Sequence, residues 1–241
     1  MSEEYSFPPF EEKFGNFIQK FGKLEKIKTY NGKDVSCLWD LKGGSLTSSV
    51  KILYSAPKIE KIVYGVQSYM DKLMTYTLSI WPEDEYSLPI YSFFWAENKN
   101  GSYFLCDLYP TKDSILDLDY LDYYYEPLRD AYMDALEHFN EKNERNPIWF
   151  QPLASTFYIT GDFSPSTKEA QEQIMKVGMD YLKVYFELWE KEEPKDAEYM
   201  KDLLIRKKAM RKCLKINDIG GPMLVKAIGQ EMADLSLEAL F

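Results

Sequence analysis

Acidic residues beside aromatic ones are the first candidates for chemistry in this sequence. Glu83, Asp84 and Glu85 lie in the stretch WPEDEYSLPIYSFFW, residues 81–95. A carboxyl group held against aromatic rings can have a raised pKa and act as a proton donor. The same pattern is also typical of a polar turn that leads into a buried strand. We favour the turn, because residues 82–87 are a polar, proline-containing segment between two strand-like segments.

A further acid, Asp218, follows a strongly basic segment and precedes a Gly-Gly-Pro turn. Residues 201–215 contain seven basic residues and one acid, a charge of +6 in a chain of net charge −10. Such a patch would steer a small acidic partner to one place, although a solvated helix face shows the same run of charges. Asn217 or Asp218 either caps the last helix or holds a carboxyl group at a pocket mouth. The basic residues that we select for docking are Lys207, Lys208, Arg211 and Lys212.

Composition and charge argue against several classes of function. The acidic balance of the 241 residues disfavours nucleic-acid binding. The single histidine, His138, lies in a helix-like run without a nucleophile motif, so neither a histidine-rich metal site nor a Ser-His-Asp triad is expected. Cys37, Cys106 and Cys213 are far apart and form no CxxC pair. That spacing predicts no disulfide framework and no all-cysteine metal site, and it fits a reducing cytoplasm or a plastid-type soluble compartment.

Targeting and cofactor motifs are not found in the sequence. The N-terminal residues lack the basic and apolar regions of a secretory signal, and no run of about 18 apolar residues predicts a membrane span. There is also no P-loop, no GxGxxG and no HExxH.

Hydrophobic periodicity predicts the elements that must position these residues. The first half predicts a one-faced helix, two β-like pieces, a segment that is helical or irregular, and a three-stranded antiparallel meander: 9–28, 35–41, 45–54, 58–72, 74–81, 88–97 and 102–109. The second half predicts four helices and one further strand: 117–143, 166–193, 196–215, 223–241 and 150–160. The pattern indicates one α+β domain over residues 1–241, with helices packed on an antiparallel sheet.

Several short motifs follow one another from about residue 74 to the end of the sequence. They are Trp81-Pro82, Tyr86, Leu88-Pro89-Ile90-Tyr91, Asp107-Leu108-Tyr109-Pro110, Trp149, Ser164-Pro165, Asn217-Asp218, Gly229, Ala233 and Leu240-Phe241. In order and approximate spacing they resemble the motifs of the ferredoxin-dependent bilin reductases. The first 70 residues match only in the rhythm of strands and helices.

The resemblance implies a specific fold, ligand and partner. The fold would be a three-layer α/β/α sandwich with a central antiparallel sheet flanked by helices. A linear tetrapyrrole would lie between the sheet and the C-terminal helices, with Asp218 as proton donor and Asn217, Thr77, Phe94, Tyr91 and Tyr76 as ligand-contacting residues. External reduced ferredoxin, docked on the basic helix 201–215, would supply electrons, with no bound flavin, nicotinamide or metal.

Two positions depart from the family pattern. Phe94 stands where the family has an aspartate, and Thr77 stands where it has a histidine or an asparagine. A general acid must be protonatable and within hydrogen-bond reach of its target, so neither residue fills that role. Four hypotheses therefore stay open: a reductase that relies on Asp218, a non-catalytic tetrapyrrole-binding protein of the same fold, a protein for a different planar or hydrophobic ligand, and an unrelated α+β interaction protein.

Overall fold

The computed structural model describes residues 7–113, 115–139, 148–218 and 220–241. The strands are β1 (Glu25–Lys26), β2 (Thr29–Tyr30), β3 (Lys33–Asp34), β4 (Leu46–Ala56), β5 (Ile59–Tyr69), β6 (Leu73–Pro82), β7 (Ile90–Asn98), β8 (Gly101–Tyr109) and β9 (Ile159–Phe163). The α-helices are α1 (Asn16–Ile18), α2 (Leu118–Tyr125), α3 (Arg129–Leu136), α4 (Lys168–Lys191), α5 (Ala197–Asn217), α6 (Gly221–Ile228) and α7 (Gln230–Leu240). Short π and 3₁₀ turns, Glu11–Gly15 and Gln19–Phe21, extend α1 at both ends.

Seven strands form one antiparallel sheet in the order β1-β4-β5-β6-β7-β8-β9, while β2 and β3 form a separate pair. Strands β4 to β8 follow one another in both sequence and space, since short connections join antiparallel neighbours. The sheet confirms the predicted meander and extends it on both sides.

Helices cover the two faces of the sheet, which gives three layers. The N-terminal helical segment, α2, α3 and α4 bury one face in the largest hydrophobic cluster. The C-terminal helices α5, α6 and α7 cover the other face through three smaller clusters. The predicted α+β sandwich is confirmed.

Alternation along each strand decides which layer a side chain enters, because successive residues point to opposite faces. In β6, Tyr76, Leu78 and Ile80 belong to the large cluster under α4. Their neighbours Thr77 and Ser79 point toward the C-terminal helices instead.

Six predicted elements differ from those observed. Residues 58–72 contain strand β5, whose central position buries both faces and so hides the alternation that would have marked a strand. Of the strand predicted at 150–160, only the last two positions are in a strand, because β9 begins at Ile159. The N-terminal helix predicted at 9–28 ends at Phe21. The predicted helix at 223–241 divides into α6 and α7 at Gly229, whose φ of 81° is left-handed and suits glycine. The helix predicted at 117–143 is divided by the 3₁₀ turn Glu126–Leu128 into α2 and α3, and α3 ends at Leu136. The β-like piece predicted at 35–41 instead contains the 3₁₀ turn Ser36–Leu38. Residues 140–143 of the predicted helix lie outside the described residues.

Candidate functional site

A cavity of about 360 Å³ lies between the sheet and helices α5, α6 and α7. This volume is within the range of small-molecule sites, roughly 300–1,000 Å³. The sheet supplies its floor and the C-terminal helices its roof. Aromatic side chains from the sheet, from the 3₁₀ turn Ile148–Phe150 and from the end of the chain line it: Tyr69, Trp81, Phe94, Tyr103, Tyr109, Trp149, Phe150 and Phe241.

One row of cross-strand partners forms the centre of the floor. Lys51 is opposite Gly65, Gly65 is opposite Thr77, Thr77 is opposite Phe94, and Phe94 is opposite Leu105. All except Gly65 line the cavity. The register therefore brings Thr77 and Phe94 side by side on the floor, next to a lysine that the sequence analysis did not select.

Asp218 is the carboxyl group of this cavity. It ends α5 and accepts hydrogen bonds from the backbone N–H groups of Gly220 and Gly221, where α6 begins. Both readings of this residue therefore fit its position, since it caps a helix and also lines the cavity. Burial raises the pKa of Asp218, and this effect outweighs the opposing effects of Lys51 and the two N–H groups. A carboxyl group with a raised pKa is suited to donate a proton.

Asn217, the neighbour of Asp218, also lines the cavity. Its amide donates to the carbonyl oxygen of Cys213 at 2.9 Å, a bond within α5. That bond fixes the orientation of the side chain and leaves the amide oxygen as its free acceptor.

Lys51 enters the cavity from β4 and is 5% exposed. Its ammonium group donates to the hydroxyl of Ser236 on α7 at 2.6 Å. Burial lowers the pKa of Lys51 to about 8, and the charge of Asp218 opposes this change. Lys51 could have been selected from the sequence, since it lies within the strand-like segment 45–54. A lysine in such a segment must either reach solvent or find a buried partner.

Tyr76 and Tyr91 do not line the cavity, which corrects their place in the predicted ligand-contacting set. Both belong to the cluster on the opposite face of the sheet. The hydroxyl of Tyr91 donates to the carbonyl oxygen of Gly178 on α4 at 2.9 Å, which holds the ring in that layer. Strand parity explains the error, since positions 76 and 91 point away from the face occupied by Thr77 and Phe94.

The basic helix α5 uses part of its charge inside the fold, which corrects another expectation. Lys207 is 2% exposed, and its ammonium group donates to the carbonyl oxygen of Pro82 and to Asp84. Arg211 is half-buried, pairs with Glu60 and lies over the ring of Trp81. Lys207 is therefore not available to a docked protein, and Arg211 has only part of its surface free.

The outer side of α5 keeps a stripe of exposed residues at helical spacing. Lys201, Ile205, Lys208 and Lys212 recur at steps of three to four and are exposed. Of the predicted docking residues, Lys208 and Lys212 are thus at the surface.

The acids of the stretch at 81–95 occupy the connection between β6 and β7. Glu83, Asp84 and Glu85 are exposed, and none of them lines the cavity. Asp84 forms an ion pair with Lys207 at 2.7 Å, so this turn is attached to the buried side of α5. The turn interpretation fits these positions.

Asp107 is a buried acid beneath the cavity wall. Its carboxyl group accepts from the backbone N–H of Ser155 at 2.8 Å and from the hydroxyl of the same residue. Burial raises its pKa to about 7, although these hydrogen bonds oppose the change. Asp107 thus secures the segment that follows Trp149 and Phe150, two aromatic residues of the wall.

Within the described ranges, no group of three or more His, Cys, Asp or Glu side chains is placed to hold a metal ion. No helix in the described part of the chain combines the length and apolar composition that a membrane span needs.

The chain is similar to a known protein family and to a solved structure. The sequence profile described as ferredoxin-dependent bilin reductase matches residues 19–241. The crystal structure of selenomethionine phytochromobilin synthase from tomato, in complex with biliverdin, superposes with a TM-score of 0.82 at 17% sequence identity. The match covers 94% of this chain and 80% of that one, and it shows the same fold. The curated protein sequences include no match. Because the profile spans nearly the whole sequence, the chain belongs to the ferredoxin-dependent bilin reductase family.

Proposed function

We propose that this protein reduces a linear tetrapyrrole of the biliverdin type, with electrons from reduced ferredoxin and protons delivered by Asp218. The observation that carries the proposal is the aromatic cavity of about 360 Å³ with the half-buried Asp218 carboxyl group in its wall. Family membership and the biliverdin-bound structure of similar fold support the choice of ligand.

Asp218 would act by a proton transfer that follows electron arrival. Reduction of one double bond consumes two electrons and two protons, and each electron from ferredoxin places negative charge on the ligand. Asp218 neutralises that charge by donating its proton and regains a proton from solvent between steps. Thr77 and Phe94 carry no acidic group, so the sheet floor contributes shape and Asp218 contributes the proton.

The exposed stripe of α5 is the docking surface that we propose for ferredoxin. It presents Lys201, Lys208 and Lys212 on the outside of the helix, while Leu214 at the inside contacts the cavity. A helix is about 10–12 Å thick, so a donor docked there lies on the order of 10–15 Å from the ligand. Its positive charge suits an acidic partner and would be weakened by salt.

Charge reversal tests the docking surface. We expect Lys208→Glu combined with Lys212→Glu to raise the KM for ferredoxin at low salt and to leave the Kd for biliverdin unchanged. Lys168→Glu, an exposed change on α4, is the control. Equal KM values for the double variant and the unmodified protein would contradict docking on α5.

A non-catalytic tetrapyrrole-binding protein is the second candidate. The observation that favours it is the floor row, where Thr77 and Phe94 offer no protonatable side chain. An absorbance titration with biliverdin, followed by anaerobic addition of reduced ferredoxin, separates the two functions. A spectrum that shifts on binding and then never bleaches supports a carrier.

Asp218→Asn tests the proposed chemistry directly. We expect this variant to bind biliverdin with little change and to lose turnover, because an amide cannot donate a proton at neutral pH. Glu83→Gln makes the same acid-to-amide change outside the cavity and should turn over normally. Unchanged turnover by Asp218→Asn would remove the proposed role.

A reducing compartment such as the cytoplasm fits the proposal. Cys37, Cys106 and Cys213 are free thiols, and Cys37 is exposed. Free exposed thiols are typical of reducing compartments.

A further inference from the structure

Lys51 is placed in the cavity by the geometry of the sheet floor. Its strand partner is Gly65, and the next residue in that row is Thr77. A Cβ atom built on Gly65 would be 3.9 Å from Cε of Lys51 and 3.6 Å from Cβ of Thr77. These distances place the stem of Lys51 next to the middle of the floor, within ordinary contact distance of position 65.

Two contacts with α7 hold the ammonium group there. The Nζ atom donates to the hydroxyl of Ser236 at 2.6 Å and lies 3.5 Å from the carbonyl oxygen of the same residue. An ammonium group has three N–H donors, so one remains for the cavity. Ser236 is itself 1% exposed, which makes the arrangement a built feature of the interior.

Lys51 is the one basic residue among the described residues that line the cavity. The groups that face the Asp218 carboxyl are Lys51 from β4, Tyr69 from β5 and the N–H groups at the start of α6. Burial raises the pKa of Tyr69 to about 12, and the charge of Asp218 adds to that effect. At neutral pH the phenol is therefore uncharged, and Lys51 is the cation that acts on Asp218.

We infer that Lys51 is a positioning residue for the proposed reaction: its ammonium group stabilises the carboxylate that remains after Asp218 has donated its proton. This inference rests on the proposed function. The ammonium charge acts through a cavity with mostly apolar walls, where the interaction between two charges is stronger than in water. Removal of the charge would make Asp218 hold its proton up to a higher pH.

A second buried lysine provides a matched control. Lys61 lies on β5, is 0% exposed, and donates to the carbonyl oxygen of Ala239 on α7 at 3.1 Å. It therefore resembles Lys51 in burial and in its contact with α7, but it does not line the cavity. A lysine-to-methionine change at each position separates an effect on Asp218 from an effect on packing.

The test is the titration of the Asp218 carboxyl carbon by ¹³C NMR in the ligand-free protein, with the signal assigned by Asp218→Asn. We expect Lys51→Met to raise the midpoint by on the order of one pH unit, as for loss of a nearby opposite charge. Lys61→Met and Lys51→Arg should leave the midpoint near that of the unmodified protein. An unchanged midpoint in Lys51→Met would overturn the inference.

The reciprocal titration keeps the inference testable if Lys51→Met does not fold. Coupling between two sites is mutual, so Asp218→Asn should lower the midpoint of Lys51, followed by NMR of its Nζ group. An unchanged Lys51 midpoint would overturn the inference. Both titrations use protein without ligand, so they test the inference separately from the proposed function. If Lys51 and Asp218 shift each other's midpoints but the protein never reduces biliverdin, the proposed function is wrong and the coupling of the two residues stands. In an active protein, the alkaline limb of turnover in Lys51→Met should move to higher pH.

Discussion

The Asp107→Asn substitution tests whether burial controls the protonation of Asp107. The Asp107 carboxyl is fully buried next to Ser155, and burial raises its pKa from 3.8 to about 7. Between these two values the folded protein binds a proton at this site that the unfolded chain has released. Stability must therefore fall as pH rises from about 4 to 7, since the folded state gives up the proton at a cost.

The magnitude follows from the size of the shift. One pKa unit corresponds to about 1.4 kcal/mol, so a shift from 3.8 to about 7 lowers the free energy of unfolding by on the order of 4 kcal/mol above pH 7. Asparagine cannot titrate and keeps an oxygen that accepts from the Ser155 N–H. Its amide requires the Ser155 hydroxyl to turn from donor to acceptor, at a cost of about 1 kcal/mol. At pH 8 the variant should therefore be more stable by roughly 2–3 kcal/mol.

Urea unfolding between pH 4 and pH 8 measures this difference. We expect the two stability curves to lie close together at pH 4 and to separate as pH rises, with unchanged m-values. Asp202→Asn, an exposed acid-to-amide change on α5, is the control for the loss of one charge. Parallel curves for Asp107→Asn and the unmodified protein would refute the argument that burial controls this group.

Two further predictions concern packing and the buried side of α5. Gly178→Ala should destabilise the protein by roughly 1–3 kcal/mol in thermal or urea unfolding, because the added Cβ would meet the Phe93 ring at 2.6 Å. Gly15→Ala is the control and should not destabilise the protein, because the nearest atom there belongs to a flexible side chain at 3.6 Å. Equal losses of stability in the two variants would contradict the clash. Lys207→Met should cost about 1–3 kcal/mol, since it leaves the carbonyl of the β6–β7 turn without its donor, whereas exposed Lys208→Met should change stability by less than about 0.5 kcal/mol. Similar stability of both lysine variants would contradict a structural role for Lys207.

In residues 81–95 the exposure of the acids was predictable from sequence, and their partners were not. These acids were predicted to be a solvated turn, and Glu83 and Glu85 are exposed there. The pairing of Asp84 with Lys207 was not predictable, because the two residues are more than a hundred positions apart and meet only when α5 packs on the sheet.

The predicted ligand-contacting residues show the same division. Alternation in β6 and β7 was present in the sequence and would have separated Tyr76 and Tyr91 from Thr77 and Phe94. The register that makes Thr77 and Phe94 direct partners depends on how two strands align. It is a property of the assembled sheet.

Local periodicity and short motifs were enough to predict the α+β class, the order of the meander and the C-terminal helices, and the family. The sequence also indicated Asp218, through the basic helix before it and the glycine turn after it. Which charges are free could not be predicted in this way, since burial is set by what packs on each side chain in the folded protein. Lys207 donates its hydrogen bonds inside the fold, and Lys51 lines the same cavity as Asp218, where its ammonium group donates to Ser236 of α7.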